Sequence, residues 1–223
     1  MACLFIFFVL SCHYEKAQNF LDVIFEKTSI EKSQCWEEYI IEQKLNADDT
    51  IIFIPEIEKQ HKDYLILNSH LFVIDNKTRE IKAYFSEKNS LTIDAVKINS
   101  IDIIRQPLKL KGSQTIAIKA NYSGSSKIYP FSSEELSILV LSENKLFRIL
   151  KDWPISRING EIDINGVGEI KEQKRQLKSL ERINLENFSL IVSDSTIVAK
   201  IENGNKIYLK GGAIDTLKLK VGL

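Results

Sequence analysis

The sequence predicts a mainly β fold: an antiparallel sandwich or propeller-like sheet assembly with one or two short N-terminal helices. Three observations point there. From Asp49 onward, short β-branched and aromatic runs recur, with polar turns about every 8–12 residues. Apolar residues at helical spacing concentrate before Asp49. With only 4 Pro and 9 Gly, no linker or low-complexity block divides the chain, so one domain is expected over residues 17–223.

The elements follow in order. Ala17 to Lys27 places Phe20, Leu21, Ile24 and Phe25 on one helical face. Ser29 is a candidate cap for a second helix, with Gln34 to Lys44 carrying Trp36, Tyr39, Ile40 and Ile41. Thr50 to Ile54 is a β-branched run closed by Pro55. Tyr64–Ile74 and Glu80–Phe85 flank the turn-rich Asp75-Asn76-Lys77-Thr78 and read as a hairpin. Further strands are expected at Ala95–Ile104, Thr115–Tyr122, Leu136–Leu141, Leu146–Leu150, Phe188–Val192, Thr196–Ile201, Lys206–Lys210 and Thr216–Val221. Lys171 to Arg182, with Leu177, Leu180 and Ile183 three apart, fits either a short amphipathic helix or a strand with long polar side chains. In the last strand Leu217, Leu219 and Val221 alternate with Lys218 and Lys220, and such lysines guard sheet edges.

The 30 basic and 30 acidic residues all lie after Cys12, so the body is formally neutral. That argues against a nucleic-acid partner, whose footprint is a basic domain, and against strong electrostatic adhesion to an anionic membrane.

The chain opens with the apolar run Ala2 to Leu10, which is too short to span a bilayer and has the length of a signal-peptide core. No Lys or Arg precedes Lys16, a departure from the usual positive n-region. Val9-Leu10-Ser11-Cys12 resembles the lipobox of bacterial lipoproteins. The resemblance implies cleavage after Ser11, lipidation of Cys12, a tether over residues 12–16 and a place in the bacterial cell envelope, at the outer membrane. Two or three acyl chains would then supply the membrane attachment. Of Cys3, Cys12 and Cys35, only Cys35 would stay free, so no intramolecular disulfide is expected, and Cys35 beside Trp36 reads as a buried core thiol.

Three further stretches matter together. They are Leu71 to Thr78, then Asn121 to Ser126 with Pro130 to Ser137, then Gly160 to Asp163 through Gly168-Glu169. In this order they resemble a group of uncharacterised secreted or lipid-anchored proteins of Gram-negative bacteria, over roughly Ile51 to Ile201. The resemblance implies location and fold and brings no activity. Members often carry a Cys in the stretch matching Asp163–Gly168 and another beyond it; this chain has neither.

Chemical motifs are few. Glu161 to Glu172 has the oxygen ligands, Gly166 and final Glu of a calcium loop, but Gly168 stands at the aliphatic position and Pro154 spoils an entering helix. Asn165-Gly166 between Ile162-Asp163-Ile164 and Val167 is the stronger signal, for a tight hairpin. Tyr122-Ser123-Gly124-Ser125-Ser126 lacks the Lys of a phosphate loop and the frame of a nucleophile elbow, and reads as a surface loop. Tyr122 and Tyr129 are the residues to expect on a recognition face. His13, His61 and His70 have no metal spacing. No catalytic residue, metal ligand or cofactor is assigned. The expected function is a lipid-anchored, non-catalytic binding module. Its partners would be the membrane through the anchor and another envelope protein or a cell-wall component. The alternatives are an inhibitor or immunity protein against a cell-wall hydrolase, and a hydrolase whose site is invisible in sequence.

Overall fold

The computed structural model describes residues 19–110, 112–182, 187–202, 205–211 and 215–222. The apolar run, Ser11, Cys12 and the tether lie outside them. After helix α1 (Phe20–Lys27) come the strands β1 (Ile41–Lys44), β2 (Asp49–Gln60), β3 (Leu65–Asp75), β4 (Ile81–Ile93), β5 (Val96–Arg105) and β6 (Gln114–Gly124). Then follow β7 (Phe131–Ser142), β8 (Lys145–Ile162), β9 (Gly168–Arg182), β10 (Asn187–Glu202), β11 (Asn205–Gly211) and β12 (Asp215–Gly222). They form two antiparallel sheets, β1-β2-β3-β4 and β11-β10-β9-β8-β7-β6-β5, with β12 beside β11 on the far edge of β10. The fold is mainly β and sandwich-like, as expected.

Helix α1 starts where Asn19 Oδ1 accepts the Leu21 N–H at 3.2 Å, and it stops where the Thr28 N–H returns to Ile24 O. The helix predicted over Gln34–Lys44 does not form. Two 3₁₀ turns and β1 replace it. Sheet pairing outcompetes the helical spacing here. The Trp36 N–H donates to Pro55 O at 2.8 Å, Cys35 bridges to Glu56, and Ile41–Lys44 pairs with Thr50–Phe53. Pro55 does not close β2 either. Its carbonyl faces Trp36, and in a strand the N–H of a residue faces the same side as its carbonyl, so the missing donor takes nothing from the β3 ladder.

Thr50 to Pro55 shows no apolar–polar alternation because both faces of β2 are covered. Ile51 and Phe53 join the core between the sheets, with Leu71, Val73, Ile101, Ile116 and Leu139. Ile52 and Ile54 pack on the outer face with Ile24, Ile30, Cys35, Phe72 and Ile74, under α1. The Asp75–Thr78 turn forms as predicted: Asp75 Oδ1 accepts the N–H of Lys77 and Thr78, and Lys82 clamps Asp75 and Asp49 at 2.8 and 2.6 Å. The Lys82 ammonium and these backbone donors hold the Asp75 carboxyl well below the usual carboxylate range.

The predicted strands Phe188–Val192 and Thr196–Ile201 are one strand, β10. Lys171–Arg182 is strand, not helix, because β9 pairs with β10 from Gly168 to Arg182. Strand β8 is shared. Residues Lys145 to Asn159 pair with β7, while only Ser156 to Ile162 pair with β9. Upstream of that hairpin, β8 and β9 diverge. The divergence lets Leu190 and Val192 of β10 and Leu177 of β9 pack over Leu136, Ile138, Ile149 and Leu150, forming a core on the far side of the second sheet. The β8 end of this seam is irregular, with register shifts near Glu134–Leu139 and Asp152 at φ +43°.

Glu87 of β4 ties the sheets together, pairing with Arg148 and, at 2.6 Å, with Lys151, both of β8. Burial alone pushes the Glu87 carboxyl up, but the hydrogen bonds from Lys151 and Arg148 outweigh it and hold it below 4.5. A depressed carboxyl stabilises the fold above its unfolded value and loses that contribution as pH falls through the folded value. Glu87→Gln should therefore destabilise by about 1–3 kcal/mol at pH 7, between the values for exposed and buried pairs. Denaturant melts repeated at falling pH should show the deficit shrink below about pH 4.5.

Candidate functional site

The structure disposes first of the residues with conventional chemistry. His70 is buried and both ring nitrogens are committed, Nδ1 to Tyr84 Oη at 2.7 Å and Nε2 to Glu56 Oε2 at 3.0 Å. No Ser or Cys joins that chain of bonds among the described residues, so it is a satisfied buried network. His61 stacks on Tyr64 at the surface. The Cys35 Sγ donates to Glu31 O, and burial, with Glu56 and Glu37, pushes the thiol up to about 11. It stays protonated at neutral pH and is no nucleophile. His13 lies outside the described residues. Among the described residues no group of three or more His, Cys, Asp or Glu is placed to hold a metal ion, and no helix is long and apolar enough to cross a membrane.

Tyr122, expected on a recognition face, sits in β6 against the core between the sheets, where burial, then Glu135 and Asp152, push its hydroxyl far up. Tyr129 is where such a residue belongs, 59% exposed.

Tyr129 is not alone. Ile128, Tyr129, Ile164 and Val167 are four of the six large apolar side chains that are exposed among the described residues. They lie on two segments, the connection from β6 to β7 and the β8–β9 turn. The Ile162 N–H donates to Ile128 O at 2.7 Å and fastens one segment to the other. Ile164 is 90% exposed at the tip.

The tip is firmly built. Asp163 Oδ1 accepts the N–H of Asn165 at 2.8 Å and of Val167 at 2.9 Å, and the Asp163 N–H returns to Val167 O. Those donors, Val167 first, hold the Asp163 carboxyl below its usual value. The turn is the predicted hairpin, with Gly166 at φ +76°. The calcium-loop reading fails on register: Glu161 stands opposite Glu169, while Glu172 stands opposite Ile158, so the first and last ligands of the loop do not converge. Behind the turn the strands approach closely. A Cβ on Gly168 would fall on the Glu161 carbonyl oxygen, and one on Gly160 on that of Glu169.

Two hollows flank the tip, of about 750 and 440 Å³. Ile128, Ile162 and Val167 give the larger an apolar wall, Tyr129 and Asn159 line the smaller, and Glu161 and Glu169 border both. Glu161 and Glu169 are directly opposed across the hairpin, a like-charge arrangement that costs stability, and Lys200 stands opposite Glu169 on β10. The geometry is that of an apolar contact patch with a charged border, in which Glu161, Asp163 and Glu169 stand beside Lys171 and Lys200.

No family model, no curated protein and no solved structure matches this chain.

Sequence reasoning located the Glu161–Glu172 turn and Tyr129 but missed Ile128, Ile164 and Val167 as a patch. One signal was available: aliphatic residues on both sides of Asn165-Gly166, where a solvated turn has no use for them. Gly168→Ala should destabilise by about 1–3 kcal/mol through overpacking in the hairpin. Ile164→Ser should change stability by less than about 0.5 kcal/mol, since the side chain is exposed. Urea melts of the two variants side by side check both.

Proposed function

We propose that this chain is a lipid-anchored protein of the bacterial envelope that binds another envelope protein through the tip formed by Ile128, Tyr129, Ile164 and Val167. The observation that carries the binding reading is the clustering of these exposed apolar side chains on two segments fixed by the Ile162–Ile128 bond. Concentrated exposed apolar surface with a polar border is the usual mark of a protein contact. Three acids, Glu161, Asp163 and Glu169, against Lys171 and Lys200 leave the border with a small acidic excess, which suits a partner with basic groups around an apolar hollow better than an anionic membrane surface. The anchor reading rests on Val9-Leu10-Ser11-Cys12. A protruding hairpin with an aliphatic apex also suits insertion into an enzyme cleft, which favours inhibition of a cell-wall hydrolase as the second reading.

Crosslinking in envelopes should give a discrete adduct with wild type that Ile164→Asp abolishes at unchanged melting temperature. An identical adduct pattern for both proteins would overturn the role of the tip. Metabolic labelling with a fatty acid should mark wild type and not Cys12→Ala, and equal labelling would overturn the anchor. Purified chain that slows cell-wall hydrolysis in an Ile164-dependent way would select the inhibitor reading.

A further inference from the structure

A second site lies where β8 and β9 part company. A cleft of about 510 Å³ opens there, lined by residues of β7, β8, β9 and β10. Glu134 stands opposite Ser156, Ser156 opposite Lys174, and Lys174 opposite Ser195, so the four form one rung across four strands and share a face. All four line the cleft.

The charges of the cleft divide into two kinds. Arg175 and Asp194 are already spent on each other. Arg175 Nε donates to Asp194 Oδ2 at 3.0 Å, Gln173 Nε2 donates to both Asp194 oxygens, and Arg175 Nη1 donates to Pro154 O. The guanidinium also lies 4.9 Å from the centre of the Trp153 ring. This network fixes the floor and leaves several of the five guanidinium N–H donors unused. Glu134 and Lys174 are different: neither forms an ion pair among the described residues. They sit two strands apart, about 9–10 Å between backbones, with only the small Ser156 between them. The hydroxyls of Ser156 and Ser193 make no hydrogen bond with the described residues either. Glu134 is half-buried, and a half-buried carboxylate without a cation is costly.

We infer that this cleft binds a small zwitterion, with Glu134 taking the ammonium and Lys174, Ser156 and the spare donors of Arg175 taking the carboxylate. One unspent charge of each sign, held apart on one rung over a fixed polar floor, matches a ligand that carries both charges and rejects one that carries a single sign. The chemistry is shared by free amino acids and by short peptides with free ends. The cleft is separate from the tip, since none of its lining residues borders the two hollows there.

The test titrates the full chain with L-alanine, L-alanyl-L-alanine, propionate and ethylamine, read by two-dimensional amide NMR. The expected result is saturable shifts at Ser156, Lys174 and Ser195 with one or both zwitterions. The better binder of the two sets the ligand length. Propionate and ethylamine should bind at least about tenfold more weakly. Glu134→Gln and Lys174→Gln should each weaken the zwitterion about tenfold or more, with the amide spectrum otherwise retained. No saturable shift with either zwitterion up to about 10 mM would overturn the inference. So would propionate or ethylamine binding as tightly as the zwitterions, or unchanged binding in both variants.

Discussion

Thr50 to Pro55 and Leu67 to Ile74 are buried on every side, and the rest of the molecule is arranged to keep them so. A strand with two apolar faces needs two covers. The second sheet supplies one through Ile101, Ile116 and Leu139, and α1 with Ile30 and Cys35 supplies the other. Each fully buried Ile or Phe contributes about 1.5–3 kcal/mol of transfer free energy, so a run of them outweighs local helical preference nearby. That is why Trp36 and Tyr39 end up against the core between the sheets, with Tyr39 Oη donating to Ile98 O at 2.9 Å, rather than along a helix.

The second constraint is the split in β8. A strand of 18 residues that keeps β7 for most of its length but β9 only at its end must let the sheet open. The opening is used twice. On one side of the seam, β9 and β10 fold over Leu136, Ile138 and Ile149 and bury a core the first sheet never touches. At the seam itself, backbone groups without a ladder partner meet side chains such as Arg175, which donates to Pro154 O, and a cleft with a polar floor results. Beyond the seam the paired ends of β8 and β9 run on as a hairpin and carry Ile164 clear of the body. Contact patch and cleft are thus both consequences of where one strand takes on a second partner.

Some of this was legible in the residues. Asp75-Asn76-Lys77-Thr78 and Asn165-Gly166 announce their turns because the turn chemistry is local: an Asp side chain that caps its own backbone, and a Gly that accepts positive φ. The buried character of Cys35 and the positions of β2 to β7 and of the start of β8 were also readable. The Gln34–Lys44 segment misled because its apolar spacing suits a helix as well as a ragged edge packed on a core. Lys171 to Arg182 was ambiguous because long polar side chains suit an exposed strand and an amphipathic helix alike. Tyr122 and Tyr129, seven residues apart in one polar stretch, have opposite fates that no local rule separates.

By itself the sequence determined the β class, the turns, the neutrality of the body and the apolar run that ends at Ser11-Cys12, since each depends on residue type and near neighbours alone. The tertiary structure alone decided which faces are covered, that β8 gains β9 as a second partner at Ser156, that Ile128 meets the Ile162–Val167 turn, and that Glu134 and Lys174 share a rung. The physical reason is range. Turn geometry is set within a few residues, whereas register and coverage are set by strands brought together from far along the chain, and the apolar tip and the unspent charges of the cleft are products of that pairing.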